Sequence, residues 1–153
     1  MTHHAIQTEV AKLIKACPWF ARHGYDPVCE ASGILDEELE TRLLSAEGCV
    51  ILISCGSFEP QSTDSEAVPG TLDIRCAVAE HPPTNRARTE WATASQAAEH
   101  LAAHLNLKPV CGEHLYGPAI RPEPSEDMLQ HTVTLKLNHV LEAPPSTKKG
   151  SRR

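Results

Sequence analysis

At 153 residues the chain has the length of one ordinary domain, and its 41% hydrophobic content suffices for a single core. The longest unbroken apolar run, Cys49–Ile53, falls far short of the roughly 20 residues that a bilayer-spanning helix needs. A net charge of −6 and a pI near 5.8 argue against a broad nucleic-acid-binding surface, because neutralising phosphates requires clustered Lys and Arg.

The basic cluster that does occur, Lys148, Lys149, Arg152 and Arg153, sits in a stretch expected to be a solvated tail over residues 144–153. Met1-Thr2-His3-His4 leads straight into a helix-like pattern containing lysines, so no secretory leader is expected and the chain is expected to stay in the cytosol. Six cysteines (Cys17, Cys29, Cys49, Cys55, Cys76, Cys111) could suggest a disulfide framework. Four of them lie inside apolar patterns, where a free Cys acts as a small hydrophobe, and reduced thiols are the better expectation.

In chain order, Ile6, Val10, Leu13, Ile14 and Cys17 share one face of a helix that Pro18 should end. The segment from Trp19 to Ser32 reads as irregular. Asp36 then resembles an N-cap, with Glu37 and Glu38 suited to a helix start, Leu39, Leu43 and Leu44 as a buried face and Gly48 as a stop. Cys49–Ser54 is apolar at nearly every position and predicts a strand covered on both faces. Ser57–Gly70 reads as a long polar loop. Thr71–Ala79 alternates, with Leu72, Ile74, Cys76 and Val78 on one face and Asp73 and Arg75 on the other, which predicts a strand with one wet face. His81-Pro82-Pro83 breaks it. Thr89–Leu105 predicts a helix with Trp91, Ala94, Ala98, Leu101, Ala102 and Leu105 inward, its alanines keeping the packing face slim. Lys108–Asp127, with four prolines, reads as irregular. Gln130–Leu141 predicts a last strand with Val133, Leu135, Leu137 and Leu141 inward. Residues 1–143 are therefore expected to form one α+β domain, a mostly antiparallel sheet of three or more strands with helices packed on one face.

Chemistry-bearing patterns are weak. His100, His104, Cys111 and His114 could be written as a zinc site, since His pairs at i, i+4 chelate metals. In Glu99-His100-Leu101-Ala102-Ala103-His104, however, the acid precedes the first His, unlike the known helical zinc motifs. Cys55-Gly56-Ser57 lacks the flanking glycines of a nucleophile elbow and reads as a turn. Asp36-Glu37-Glu38 and Glu126-Asp127 lack the apolar surroundings that would separate acid and base roles. With no glycine-rich phosphate loop and two each of Trp, Tyr and Phe, neither an enzyme nor a cofactor protein is expected.

A strand such as Cys49–Ser54, a polar loop, the strand Gly70-Thr71-Leu72-Asp73-Ile74-Arg75-Cys76-Ala77-Val78, an alanine-rich helix over Ala92–Leu105 and a closing strand over His131–Leu141 resemble the tail-terminator and neck subunits of tailed bacteriophages. The resemblance is one of element order. It implies a structural virion protein, assembled in the bacterial host cytoplasm as a ring, commonly a hexamer, that caps the tail tube and meets the head-side connector. DNA would only pass through the lumen, and no membrane is involved. On this resemblance the Ser57–Gly70 and Pro109–Asp127 segments are expected to contact other copies or the tube, with Ser57, Phe58, Glu59, Gln61, Asp64, Glu66, Tyr116, Arg121 and Glu123 as candidate interface residues. Two other readings stand beside it: a zinc-dependent enzyme, and a monomeric assembly chaperone or binding module.

Overall fold

The computed structural model describes residues 2–30, 48–64, 66–125 and 127–143. The expected helix at Asp36–Gly48 lies, but for Gly48, outside the described residues, as does the tail from residue 144. The Thr2 side chain accepts a hydrogen bond from the Ala5 N–H at 3.1 Å and opens α1 (His3–Lys15). As expected, the helix ends before Pro18: it stops at Lys15, with Ala16 as its C-cap. Pro18 sits in the first turn of a second helix, α2 (Pro18–Arg22), where its missing N–H is not needed. A short strand follows, β1 (Pro27–Cys29), so the segment read as irregular holds two elements.

The next two strands, β2 (Cys49–Pro60) and β3 (Val68–Glu80), overturn the expected long loop. Ser57–Pro60 continues β2, Val68–Gly70 begins β3, and only residues 61–67 connect them. A short helix, α3 (Pro82–Asn85), then leads to α4 (Ala94–Leu105). The latter starts at Ala94 rather than Thr89, because Thr93 and Gln96 form a reciprocal capping box. Trp91 therefore lies outside the helix and is exposed beneath the Arg86 guanidinium, 5.0 Å from its ring. Ala103 is exposed too, while Ala94, Ala97, Ala98 and Ala102 are buried.

The Lys108–Asp127 segment is also more regular than its prolines suggest. It contains β4 (Pro109–Val110), β5 (Glu113–His114) and β6 (Tyr116–Glu123), before β7 (Leu129–Leu141). Cys111 and Gly112, at φ +49° and +86°, form the two-residue turn between β4 and β5.

Five strands form one mixed sheet in the order β1-β2-β3-β7-β6, parallel only between β1 and β2. The central β3–β7 ladder pairs Val68 with Leu141 at one end and Glu80 with Leu129 at the other. Alternation then sorts the side chains. Cys49, Ile51, Ile53, Leu72, Ile74, Cys76, Val78, Val133, Leu135 and Leu137 form one buried cluster with Ile6, Val10 and Ile14 of α1 and Leu101 and Leu105 of α4. Val50, Leu52, Ala77 and Ala79 form a smaller cluster, joined by Val28 and Met128 and by no residue of a described helix. Cys49–Ile53 is thus buried on both faces. Leu141, expected inward, is 41% exposed because it lies at the open end of its strand.

Candidate interaction surfaces

Two features of the sheet stand out, a projecting arm and a polar trough. The arm exists because the edge strands are short. Pairing with β1 stops at Ile53, whose carbonyl accepts one further bond from Glu30 N–H at 2.8 Å. Pairing with β6 stops at Lys136. Beyond these points β2, β3 and β7 run on as three strands through Pro60, Val68 and Leu141, an extension of roughly 20 Å at the usual rise per residue. Among the described residues, no strand pairs with the outer side of β2 past Ile53 or of β7 past Lys136. Unpaired edges of this kind are templates for another chain.

A bulge bends β2 where it enters the arm: Cys55 pairs with Ile74 but Phe58 with Leu72, leaving Gly56 and Ser57 opposite one residue. The Arg75 side chain lies over Gly56, and a Cβ there would come 2.5 Å from Arg75 Nε. Gly70 is packed as tightly, and a Cβ on it would meet the Glu59 carbonyl oxygen at 2.3 Å and the Phe58 ring at 2.6 Å. On the side of the larger core cluster the His139 ring lies 6.0 Å from both Phe58 and His3, tying the start of α1 to the arm. Burial, and then the nearby His3, hold the His139 pKa below its ordinary value. The tip carries exposed Glu59, Gln61, Asp64 and Glu66, and exposed Val140 and Leu141 flank it.

The trough lies on the opposite sheet face and has a volume of about 550 Å³. Its floor is made of small side chains, Ala77, Ala119, Thr132 and Thr134, so the longer ones at its margins stand as walls. Those walls bring together Arg75 of β3, Arg121 of β6 and Lys136 of β7, with Asp73 and Glu123 as the acids. Asp73 and Lys136 are direct cross-strand partners, 3.7 Å apart and both solvated. Among the described residues neither Arg75 nor Arg121 takes part in an ion pair. A second hollow, lined by Glu59, Glu113, Lys136 and Asn138, continues from the trough towards the arm. The outer edge of β6, which pairs with no other strand among the described residues, carries Pro118 and Pro122, which lack N–H donors and so discourage pairing with a further strand.

The nine sequence-derived interface candidates fall into two groups. Ser57, Phe58, Glu59, Gln61, Asp64 and Glu66 belong to the arm, although Phe58 packs inward against the core. Tyr116, Arg121 and Glu123 belong to β6. Arg121 and Glu123 line the trough, and the Tyr116 hydroxyl donates to Asn138 Oδ1 at 3.1 Å. Arg75, Lys136 and Asp73 were missed as site residues. Their signal was present in the wet face of the alternation, but not which strands would lie side by side.

The four residues of the zinc alternative do not converge. His104 Nε2 donates to the Leu13 carbonyl at 2.8 Å, and the His100 ring lies 4.4 Å from that of Trp19. The Cys111 N–H donates to Glu9 Oε1, and His114 is exposed opposite Pro109. Among the described residues, no three His, Cys, Asp or Glu side chains are placed to hold a metal ion. All six cysteines are free thiols. Burial pushes Cys76 up to about 12 and Cys55 to about 11, both away from nucleophilic thiolate character.

Among the described residues no helix is long and apolar enough to cross a membrane. No protein-family profile matches the chain, and neither does any curated protein.

Proposed function

We propose that this chain is a structural assembly subunit that builds a homo-oligomeric ring, in the manner of a tail-terminator or neck protein of a tailed bacteriophage. Such a ring caps the tail tube, meets the head-side connector and lets DNA pass through its lumen. The observation that carries the reading is the three-stranded arm, which no other strand among the described residues flanks on either side, with exposed Val140 and Leu141 beside its tip. The base of the arm packs on the core through Phe58, Leu72 and Leu137, but its outer end is solvated, and a neighbouring copy that covers it buries apolar area and satisfies backbone groups. The net charge of −6 fits a lumen that does not grip passing DNA.

Sedimentation velocity together with negative-stain images of the purified protein tests this. Closed rings of uniform size are expected. A chain that native mass spectrometry shows as a monomer carrying one stoichiometric zinc would overturn the reading in favour of a metalloprotein.

A further inference from the structure

The arm and the trough carry opposite charge. Between Cys55 and Arg75 the sequence contains no Lys or Arg, and Glu59, Asp64 and Glu66 are all exposed. Among the described residues none of these three acids pairs with a cation. The trough presents three cations against two acids on a chain that is acidic as a whole. Its small-residue floor leaves room between those cations, and its Asp73–Lys136 pair is a solvated one that exchanges partners at little cost.

Glu59 shares the second hollow with Lys136 of its own chain, but the acids further out on the arm cannot reach the Arg121 end of their own trough. The tip of the arm lies beyond the Val68–Leu141 pair, whereas Arg121 stands opposite Thr132, a separation along β7 of roughly 30 Å at the usual rise per residue. For Asp64 and Glu66 a complementary surface of this kind must therefore come from another molecule.

We propose that the acidic tip of the β2–β3 arm of one copy docks into the Arg75–Arg121–Lys136 trough of a second copy. This rests on the ring reading above and supplies its contact. Donor and acceptor surfaces differ, so the interface is heterologous, and each copy uses its arm on one neighbour and its trough on the other. Repetition of such a contact closes a ring when the rotation per step permits. Complementary charge fixes the register of the contact and speeds its formation, and both effects weaken in salt. The prolines on the β6 edge disfavour the competing arrangement, in which neighbours join by continuing one sheet into the next.

The test uses the full chain with the arm reversed (D64K/E66K) or the trough reversed (R75E/R121E), read by sedimentation velocity, with circular dichroism confirming that both fold. Each variant alone is expected to lose assembly by at least about tenfold in association constant, as for close interfacial charge pairs. An equimolar mixture of the two should recover it in alternating rings, because a native arm meets a native trough at one contact and a reversed arm meets a reversed trough, again of opposite charge, at the next. Rings that persist in both variants would overturn the docking and leave the ring reading intact. A native chain that stays monomeric at millimolar concentration in low salt would overturn both.

Discussion

The carboxylate of Glu80, at the last residue of β3, accepts a hydrogen bond of 2.6 Å from the backbone N–H of Ala94, the first residue of α4. Glu80 is fully buried. Its other oxygen accepts from Asn85 Nδ2 at 3.1 Å and Arg86 Nε at 3.3 Å, and Asn85 Nδ2 also donates to the Ala92 carbonyl. The same carbonyl accepts the Tyr25 hydroxyl at 2.6 Å. One side chain thus closes the connection between the sheet and the alanine-rich helix. Glu80→Ala leaves a helix N–H and an amide without their acceptor, and the expected loss is about 2–4 kcal/mol. Urea denaturation checks it. A midpoint equal to that of the native chain would show that water replaces the carboxylate.

At Gly70 the obstacle to any side chain is steric and not torsional, since a Cβ would collide with the Glu59 carbonyl and Phe58. Gly70→Ala should separate β2 from β3 in the arm and destabilise the chain by about 1–3 kcal/mol. Amide exchange should accelerate at Glu59, Thr71 and His139, whereas exchange at Ile51 and Val78, in the central part of the ladder, should hardly change.

Acid should loosen the contact between α1 and the arm. The folded pKa of His139 lies below its ordinary value of 6.5, so the fold favours the neutral ring. The stability contributed is present above pH 6.5 and is lost as pH falls through the folded pKa. Proton titration of His139 followed by NMR should show a midpoint below 6.5, and His3→Ala should raise it by removing the neighbouring imidazole. A midpoint unmoved by that substitution would leave burial and the charge of the N-terminus as the causes.

The thiols give the opposite pH limb. Cys76 is fully buried and its pKa is pushed up to about 12 from 9.0, so the fold favours the protonated form. That contribution is complete below pH 9 and declines as pH rises towards 12. At neutral pH, Cys76 should resist thiol labelling in the native state and react once urea unfolds the chain. Rapid native-state labelling of Cys76 would show that the sheet opens locally.

Much of the fold was legible because it depends on short-range periodicity. The Ile6–Val10–Ile14 stripe, the alternation around Ile74 and Cys76, the alternation around Val133 and Leu135, and the alanine-rich face all match the structure. Hydrophobic burial against a single layer imposes those periods on the sequence itself. Where the periods were misread, the strands lie at edges or extend past the core. Ser57, Glu59 and Gln61 carry no apolar alternation because the arm has little to bury there, and β6 tolerates Pro118 and Pro122 because an edge strand leaves half its donors unused.

By itself the sequence determined an acidic α+β chain, its core stripes and the absence of lysine and arginine between Cys55 and Arg75. Tertiary structure alone decided that Arg75, Arg121 and Lys136 face one trough and that the acids project from the far end of the same sheet. The reason is register. Which residues stand side by side across β3, β7 and β6 is set by long-range pairing, and a shift of one position in any ladder would turn its charges to the opposite face.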